Sequence, residues 1–344
     1  MNFFIYPLHE MEEYQEILKS LKRSHVAVSI SGPSDSQKAH ICFGICIDTG
    51  KKGMLVAYNE MQARRLYEDL QFFFGDEVVF FPSKELMLHD VVAKSYDEVF
   101  QRIRALDRIV EGKYKFVVTS AEAVSHKLVP RQLFEDCIVS FEPGARVDFE
   151  RLLSKLVAMG YERVDTVEAE GQFAVRGGII DVFSLNLDYA IRIELFDDEV
   201  DSIRLFDPQT QRSVEKLEKV RIIPAREVIY THEQKEQIIS RIKAELSSQL
   251  DKIRQRDKNS EYANKLEDKI YSDIEKIETD YYFPGIDRYI PFVMDNSASL
   301  MQYTNSSTLI FIDEPIRVKQ RIENVLLEHE EACKPLMEKG LLVS

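Results

Sequence analysis

A loop of the phosphate-binding type is the first segment of the chain whose residue types and spacing could do chemistry. Gly32 and Lys38 stand in the register of the pattern G-x-x-x-x-G-K-[ST], in which backbone amides and the lysine hold nucleotide phosphates. Gln37 replaces the second glycine, and Ala39 replaces the hydroxyl that would bind magnesium. Asp35 adds a carboxylate where the phosphates would lie. We therefore predict a structural remnant that neither hydrolyses ATP nor binds it tightly.

A second candidate is acidic: the apolar run TLIFI is followed directly by Asp313 and Glu314. An apolar strand that ends in an acid holds magnesium in nucleotide-hydrolysing proteins. A buried strand that leaves the core through two acids gives the same pattern, and we favour this interpretation because the loop lacks its hydroxyl. Cys42 and Cys46 lie four residues apart near His40, but they fall in an apolar helix and are expected to pack in the core. We predict no metal site and no catalytic residues.

A third candidate is a surface for a protein partner. The run AIRIELF alternates, which predicts a strand with Ile191, Ile193 and Leu195 on its buried face. Phe196 then lies outward beside Arg192, and Arg176 lies outward on the neighbouring run GQFAVRG. Exposed aromatic rings beside arginines are enriched among residues that dominate protein interfaces. From the pattern alone, a solvated face with Phe196 covered by a loop is an equally good explanation.

Two arrangements of elements position these candidates. From residue 26 to 141, the apolar runs VAVSI, MLVAY, VVFF and FVVTS alternate with amphipathic helical stretches, which predicts a parallel sheet covered on both faces. After about residue 140, one helix with Asp148 as N-cap and Gly160 as C-cap leads into five strand-like runs with no helices between them. Two long amphipathic helices follow within 232–280, with a break near 257–259, and the helix after TLIFI is expected to end near Cys333, before Pro335. The middle α+β unit is therefore predicted to be inserted in an α/β domain.

Composition narrows the class of protein. The 344 residues are 44% hydrophobic with only 13 glycines and 11 prolines, which excludes a disordered or collagen-like chain. Acidic residues exceed basic ones by 59 to 45, giving a formal charge of -14, so we expect weak, salt-sensitive binding to duplex DNA. Four cysteines without a disulfide pattern, no signal peptide and no membrane-length apolar stretch predict a cytoplasmic protein.

Three longer segments carry a resemblance to a known family. At GQFAVRGGIIDVF, IRIELFDDEVDSIRLFDPQTQRS and RIIPAREV, the chain resembles the part shared by the bacterial repair protein UvrB and the transcription-repair coupling factors. The resemblance extends more weakly from the loop at Gly32 to Asp313 and Glu314. UvrB carries an intact phosphate loop and an aromatic-rich hairpin, whereas FFPSKELMLHD is too short and too poor in aromatic residues to be that hairpin. The UvrB-like N-terminal module of the coupling factors is therefore the closer match.

The resemblance implies a fold, partners and site residues. The expected fold is a degenerate P-loop NTPase (RecA-like) domain in two parts, 1–138 and 226–344, with an inserted, smaller α+β UvrA-binding domain at 139–225. UvrA would be recruited through Arg176, Arg192 and Phe196, while RNA polymerase and DNA would be bound by parts beyond Ser344. ATP and magnesium would serve the motor of the parent protein, and this chain would use no cofactor.

The sequence is therefore compatible with three functions. The first is a non-catalytic module that links stalled RNA polymerase to nucleotide excision repair by recruiting UvrA. The second is a UvrB-type, ATP-dependent protein that recognises DNA damage. Gln37 and Ala39 argue against this function. The third is an intramolecular clamp on the rest of the parent protein.

Overall fold

A computed structural model describes residues 3–23, 27–84, 97–230, 232–256, 260–280, 283, 286–293 and 297–342. The helices in chain order are α1 (Tyr6–His9), α2 (Glu12–Leu21), α3 (Asp35–Thr49), α4 (Glu60–Phe74), α5 (Asp97–Val110), α6 (Ala121–Ser125), α7 (Arg131–Cys137), α8 (Phe149–Ala158), α9 (His232–Arg256), α10 (Glu261–Asp280), α11 (Ile290–Val293), α12 (Leu300–Tyr303) and α13 (Pro315–Glu338). The strands are β1 (Gly53–Ala57), β2 (Val78–Phe81), β3 (Phe116–Ser120), β4 (Val139–Phe141), β5 (Glu162–Arg163), β6 (Gln172–Arg176), β7 (Ile179–Val182), β8 (Ala190–Phe196), β9 (Glu199–Phe206), β10 (Ser213–Lys216), β11 (Val220–Ile222) and β12 (Leu309–Ile312).

Contacts divide the chain into two compact units. The first comprises Met1–Ser83, Arg108–His126 and Ser299–Val325, and the second comprises Lys84–Asp107, Lys127–Ala298 and Leu326–Ser344. Among the described residues, no helix combines the length and the apolarity that crossing a membrane requires.

The first unit is built on a four-stranded parallel sheet in the order β12-β1-β3-β2. All five residues of β1 are buried, and Leu55 lies opposite Val118 of β3 and Phe311 of β12. Residues of α3 and α4 pack in one cluster with Leu55 and Val118, while Val56 on the other face packs with Ala121 and Val318. The continuous apolar runs therefore form an α/β unit with a parallel sheet, as the sequence predicted.

One predicted strand is absent from this sheet. Residues 27–30 of the run VAVSI lie in no strand, and residues 24–26 are outside the described part of the chain. The prediction of a strand at 27–30 is wrong, because β-propensity favours an extended backbone but does not provide a hydrogen-bonded neighbour. The loop at Gly32 therefore does not follow a strand of this sheet, as a phosphate-binding loop would. The expected RecA-like detail is not confirmed.

The second unit contains a six-stranded sheet in the order β10-β9-β8-β7-β6-β5. Its neighbours are antiparallel except for β5 and β6, which run parallel. A short antiparallel pair joins β4 to β11. Helix α8 begins where Asp148 accepts a hydrogen bond from the backbone N–H of Arg151, as its predicted N-cap role requires. An α+β arrangement is therefore present between residues 139 and 222.

A buried ion cluster lies in the same unit. The carboxylate of Glu227 contacts Arg102 Nε at 2.6 Å and Lys84 Nζ at 2.8 Å. Burial by itself would raise the pKa of Glu227, but the two cations outweigh this effect and hold its pKa at about 2. The carboxylate is therefore charged at neutral pH, and its pairing stabilises the folded unit.

The two predicted polar helices are present as α9 and α10, which pack against each other. The break expected near 257–259 lies outside the described residues. Helix α13 continues through Pro335 to Glu338, so its predicted end near Cys333 is wrong. Leu336, one residue past the proline, is buried against Leu342, and Tyr262 donates a hydrogen bond to the Met337 carbonyl. These contacts of the last turn favour helix beyond the proline.

Candidate partner-binding face and degenerate nucleotide loop

The three predicted partner-binding residues lie on one face of the six-stranded sheet. Arg176 of β6 is opposite Ile179 of β7, which is opposite Glu194 of β8. Because side chains two residues apart on a strand share a face, Arg192 and Phe196 lie on the same side as Glu194. We call the side that carries Arg176, Arg192 and Phe196 the arginine face.

The other face of the sheet is apolar. Ile180, Ile193 and Ile203 lie opposite one another on β7, β8 and β9, and all three are fully buried. A register shift after Glu194 keeps Leu195 opposite Val200, so the apolar face continues to the end of β8. The alternation predicted for residues 190–196 is confirmed.

Phe196 is a highly exposed member of the arginine face. The residue lies at the end of β8, opposite Glu199, and its side chain is 81% exposed. The chain turns back directly after it, and Asp197 adopts a left-handed backbone with φ of 57°. No element of the described chain covers the ring, so the explanation that a loop hides Phe196 does not hold.

Arg192 has a different environment. Its Nε and Nη2 donate to the two carboxylate oxygens of Asp181 at 2.7 and 2.8 Å, and its guanidinium lies 4.7 Å from the ring centre of Phe206. Asp181 is only 4% exposed. The hydrogen bonds to Asp181 raise the pKa of Arg192 above its usual value. Arg192 therefore does not project freely from the sheet, and its removal would leave a buried carboxylate without its partner.

Arg176 is exposed, and the backbone positions its guanidinium. Its Nη2 donates to the Asp165 carbonyl and to Thr166 Oγ1, each at 2.8 Å. The remaining N–H groups stay available for an acidic ligand. Arg204 of β9 lies directly opposite Arg192, which brings two positive charges close together. Glu194 accepts a hydrogen bond from Arg204 at 3.3 Å and offsets this repulsion.

The degenerate nucleotide loop lies in the first unit, where its lysine is engaged by three carboxylates. Lys38 Nζ lies 2.7 Å from Asp313, 3.1 Å from Asp35 and 3.4 Å from Glu314. Burial by itself would lower the pKa of Lys38, but the hydrogen bonds to Asp313 and Asp35 raise it. The loop and the acidic motif are therefore brought together, with the ammonium group bound to acids instead of being free for a phosphate.

Gln37 and Ala39 also have structural roles. The backbone N–H of Ser34 donates to Gln37 Oε1 at 2.8 Å, so Gln37 caps the start of α3. Ala39 is fully buried in the cluster formed by α3, α4 and the sheet. Gly32 has a φ of 99°, a conformation that favours glycine. These residues do not fit a magnesium nucleotide: the lysine is paired, and a buried methyl group stands where a metal-binding hydroxyl is needed.

The cysteines contribute to packing. Cys42 and Cys46 are buried on α3, and burial raises the pKa of both thiols, that of Cys46 to about 12. Among the described residues, His, Cys, Asp and Glu side chains form no group of three that could hold a metal ion.

Comparison with known proteins bears directly on the second unit. Residues 139–228 match the UvrB interaction domain family. The match contains all of the arginine face. Over 98% of its length, the chain is 31% identical to the transcription-repair-coupling factor of Bacillus subtilis (strain 168), and over 90% it is 31% identical to that of Staphylococcus aureus (strain USA300). The resemblance stated from the sequence is confirmed.

The chain spans about a quarter of the length of these relatives, namely 28% and 26%. The similarity therefore concerns one part of a coupling factor.

The sequence interpretation missed the contacts that Asp181 and Phe206 make with Arg192. Asp181 interrupts the apolar run GIIDVF much as Arg192 interrupts AIRIELF. Opposite charges on neighbouring strands commonly pair, so these two interruptions were a usable signal.

Proposed function

We propose that this chain is the UvrA-recruiting part of a transcription-repair-coupling factor and that its arginine face is the docking surface. The observation that carries the proposal is Phe196, a large ring exposed at a strand end on the same face as Arg176 and Arg192, within the segment that matches the UvrB interaction domain. Exposed aromatic residues of this kind are common anchors of protein interfaces. RNA polymerase and DNA are proposed as partners of other parts of the parent protein.

The members of the face have separate roles in this proposal. Phe196 supplies apolar area to be buried by UvrA, and Arg176 supplies a positioned cation for an acidic group. Arg192 acts mainly by holding the surface in place through Asp181 and Phe206.

We propose further that this chain uses no nucleotide or metal cofactor and is not an enzyme. Lys38 lies against Asp35, Asp313 and Glu314, so an incoming triphosphate would have to displace three carboxylates. The meeting of Lys38 with Asp313 also supports descent of the first unit from a RecA-like domain. The bounds 1–138, 139–225 and 226–344 remain predictions for the three parts. A UvrB-type ATPase is not favoured.

The proposed docking is tested by equilibrium binding of immobilised UvrA to the chain and to three variants. We expect Phe196→Ala to weaken binding by about 2 kcal/mol or more, roughly thirtyfold. Arg176→Glu should weaken it as well, because an acidic group would meet a like charge.

Tyr189→Ala is the matched control, since Tyr189 is an exposed ring that directly precedes the other end of β8. Its affinity should equal that of the wild type. Wild-type affinity in Phe196→Ala and Arg176→Glu would refute the assignment of the face, and absence of binding by the wild-type chain would refute UvrA recruitment.

A further inference from the structure

A notch beside Arg176 adds a feature that the three predicted residues do not explain. The notch is a cavity of about 670 Å³ in the second unit. Its lining residues come from the end of β5, the segment that follows it, and β6: Arg163, Val164, Asp165, Thr166, Val175 and Arg176. All of them lie within the segment that matches the UvrB interaction domain.

The notch results from the shortness of β5. Arg163 is the last residue of β5 and lies beside Phe173 of β6. The N–H of Val164 donates to the Phe173 carbonyl at 2.9 Å. Beyond Val164 the chain leaves the sheet, and no strand of the described chain pairs with the rest of β6 on the side away from β7. Residues 165 and 166 instead form one wall, where they anchor Arg176. A recess lined by Arg163 and Arg176 therefore opens at this edge of the sheet.

The charges of the notch are unbalanced. Arg163 is exposed, and within the described chain no carboxylate forms an ion pair with it. Arg176 is bound by a carbonyl and a hydroxyl, neither of which neutralises its charge. Asp165 supplies the one carboxylate among the lining residues. The recess therefore carries two cations against one anion in a chain whose formal charge is -14.

We propose that this notch receives an acidic side chain of UvrA, with Arg163 and Arg176 as hydrogen-bond donors to its carboxylate, and that Arg163 is a further specificity-determining residue of the interface. This inference rests on the proposed function, because UvrA is the partner that would supply the acid. Two guanidinium groups suit a carboxylate because each offers several N–H donors in a fixed plane. The carboxylate of Asp165 repels the carboxylate of the ligand, and this repulsion keeps the recess from binding every anion equally well.

The test is the affinity of UvrA for charge variants of the full chain. We expect Arg163→Glu to weaken binding about tenfold or more, since a like charge then faces the partner's acid, and Arg163→Gln to weaken it about threefold. Asp165→Asn should strengthen binding by about twofold to fivefold, because a repulsive charge is removed. The opposite signs distinguish a carboxylate-binding notch from a general loss of structure.

Arg151→Glu is the matched control. Arg151 is exposed on α8 of the same matched segment, and its reversal changes the net charge by the same amount. We expect its affinity to stay within about twofold of the wild type, since a distant surface charge contributes little.

Three outcomes decide the proposal. It is overturned if Arg163→Glu and Arg163→Gln both bind like Arg151→Glu, or if Asp165→Asn weakens binding. Circular dichroism shows whether each variant is folded. If Arg163→Glu is unfolded, Arg163→Gln becomes the deciding variant. Failure of the wild-type chain to bind UvrA would instead refute the proposed function itself.

Discussion

Replacement of Arg192 by alanine is expected to destabilise the second unit as well as to change its surface. The substitution removes two hydrogen bonds of 2.7 and 2.8 Å to Asp181 and the packing of the guanidinium on Phe206. Removing one partner of a fully buried ion pair costs about 3–5 kcal/mol. The Arg192 side chain is 23% exposed, so water can reach the freed carboxylate and reduce this cost. We therefore expect a loss of about 2–3 kcal/mol in the free energy of unfolding.

Urea denaturation measures this loss, with Phe196→Ala as the control. Phe196 touches solvent over most of its surface, so its truncation should change the free energy of unfolding by less than about 0.5 kcal/mol. The double variant Asp181→Ala/Arg192→Ala should lose less than the sum of the two single variants, because no charge is then left buried alone.

An unchanged urea midpoint in Arg192→Ala would refute this reasoning, as would strict additivity in the double variant. If the loss is observed, weaker binding of UvrA by Arg192→Ala reports a loosened surface in addition to any lost contact.

Three further predictions concern stability and catalysis. Glu227 has a pKa of about 2 when folded against 4.5 for the ordinary carboxyl, so its contribution to stability is complete above about pH 5 and is lost as the pH falls towards 2. Between pH 7 and pH 3, the free energy of unfolding from urea titrations should fall by up to about 2 kcal/mol more in the wild type than in Glu227→Gln. Ile193→Ala should lose about 2–5 kcal/mol through a cavity, and a loss below 1 kcal/mol would contradict the core assignment. Lys38→Ala should lower the melting temperature because the Asp313 carboxylate is left buried without its partner. Magnesium-dependent ATP turnover should be at background in both the wild type and this variant. Turnover in the wild type that disappears in the variant would show a working nucleotide site.

Several elements could be predicted because their signals are local. Helix α4 coincides with the run EMQARRLYEDLQFFF, since Asn59 caps its start and apolar residues recur at helical spacing. Phe196 was placed outward by the period of two along β8. Both inferences need only neighbours in the sequence.

The failures concern contacts between residues far apart in the chain. The run VAVSI has the composition of a strand, but a strand also needs a free sheet edge, which composition does not specify. Arg192 shows the same limit at the site. Alternation gave its face correctly, while its role depends on Asp181 of the adjacent strand and Phe206, fourteen positions along the chain. Lys38 shows this limit too: Asp35 is a neighbour on the same helix, but Asp313 follows β12 and lies 275 positions along the chain.

Amide hydrogen exchange of the chain with and without UvrA tests directly whether UvrA docks on the arginine face, because it locates the partner on the wild-type protein. If UvrA docks on the arginine face and the notch, exchange should slow on binding in peptides that cover residues 163–176 and 192–199, with no change in α3 or β12. These segments contain Arg163, Arg176 and Phe196. Unchanged exchange in both segments at saturating UvrA, or protection confined to other parts of the chain, would contradict this docking.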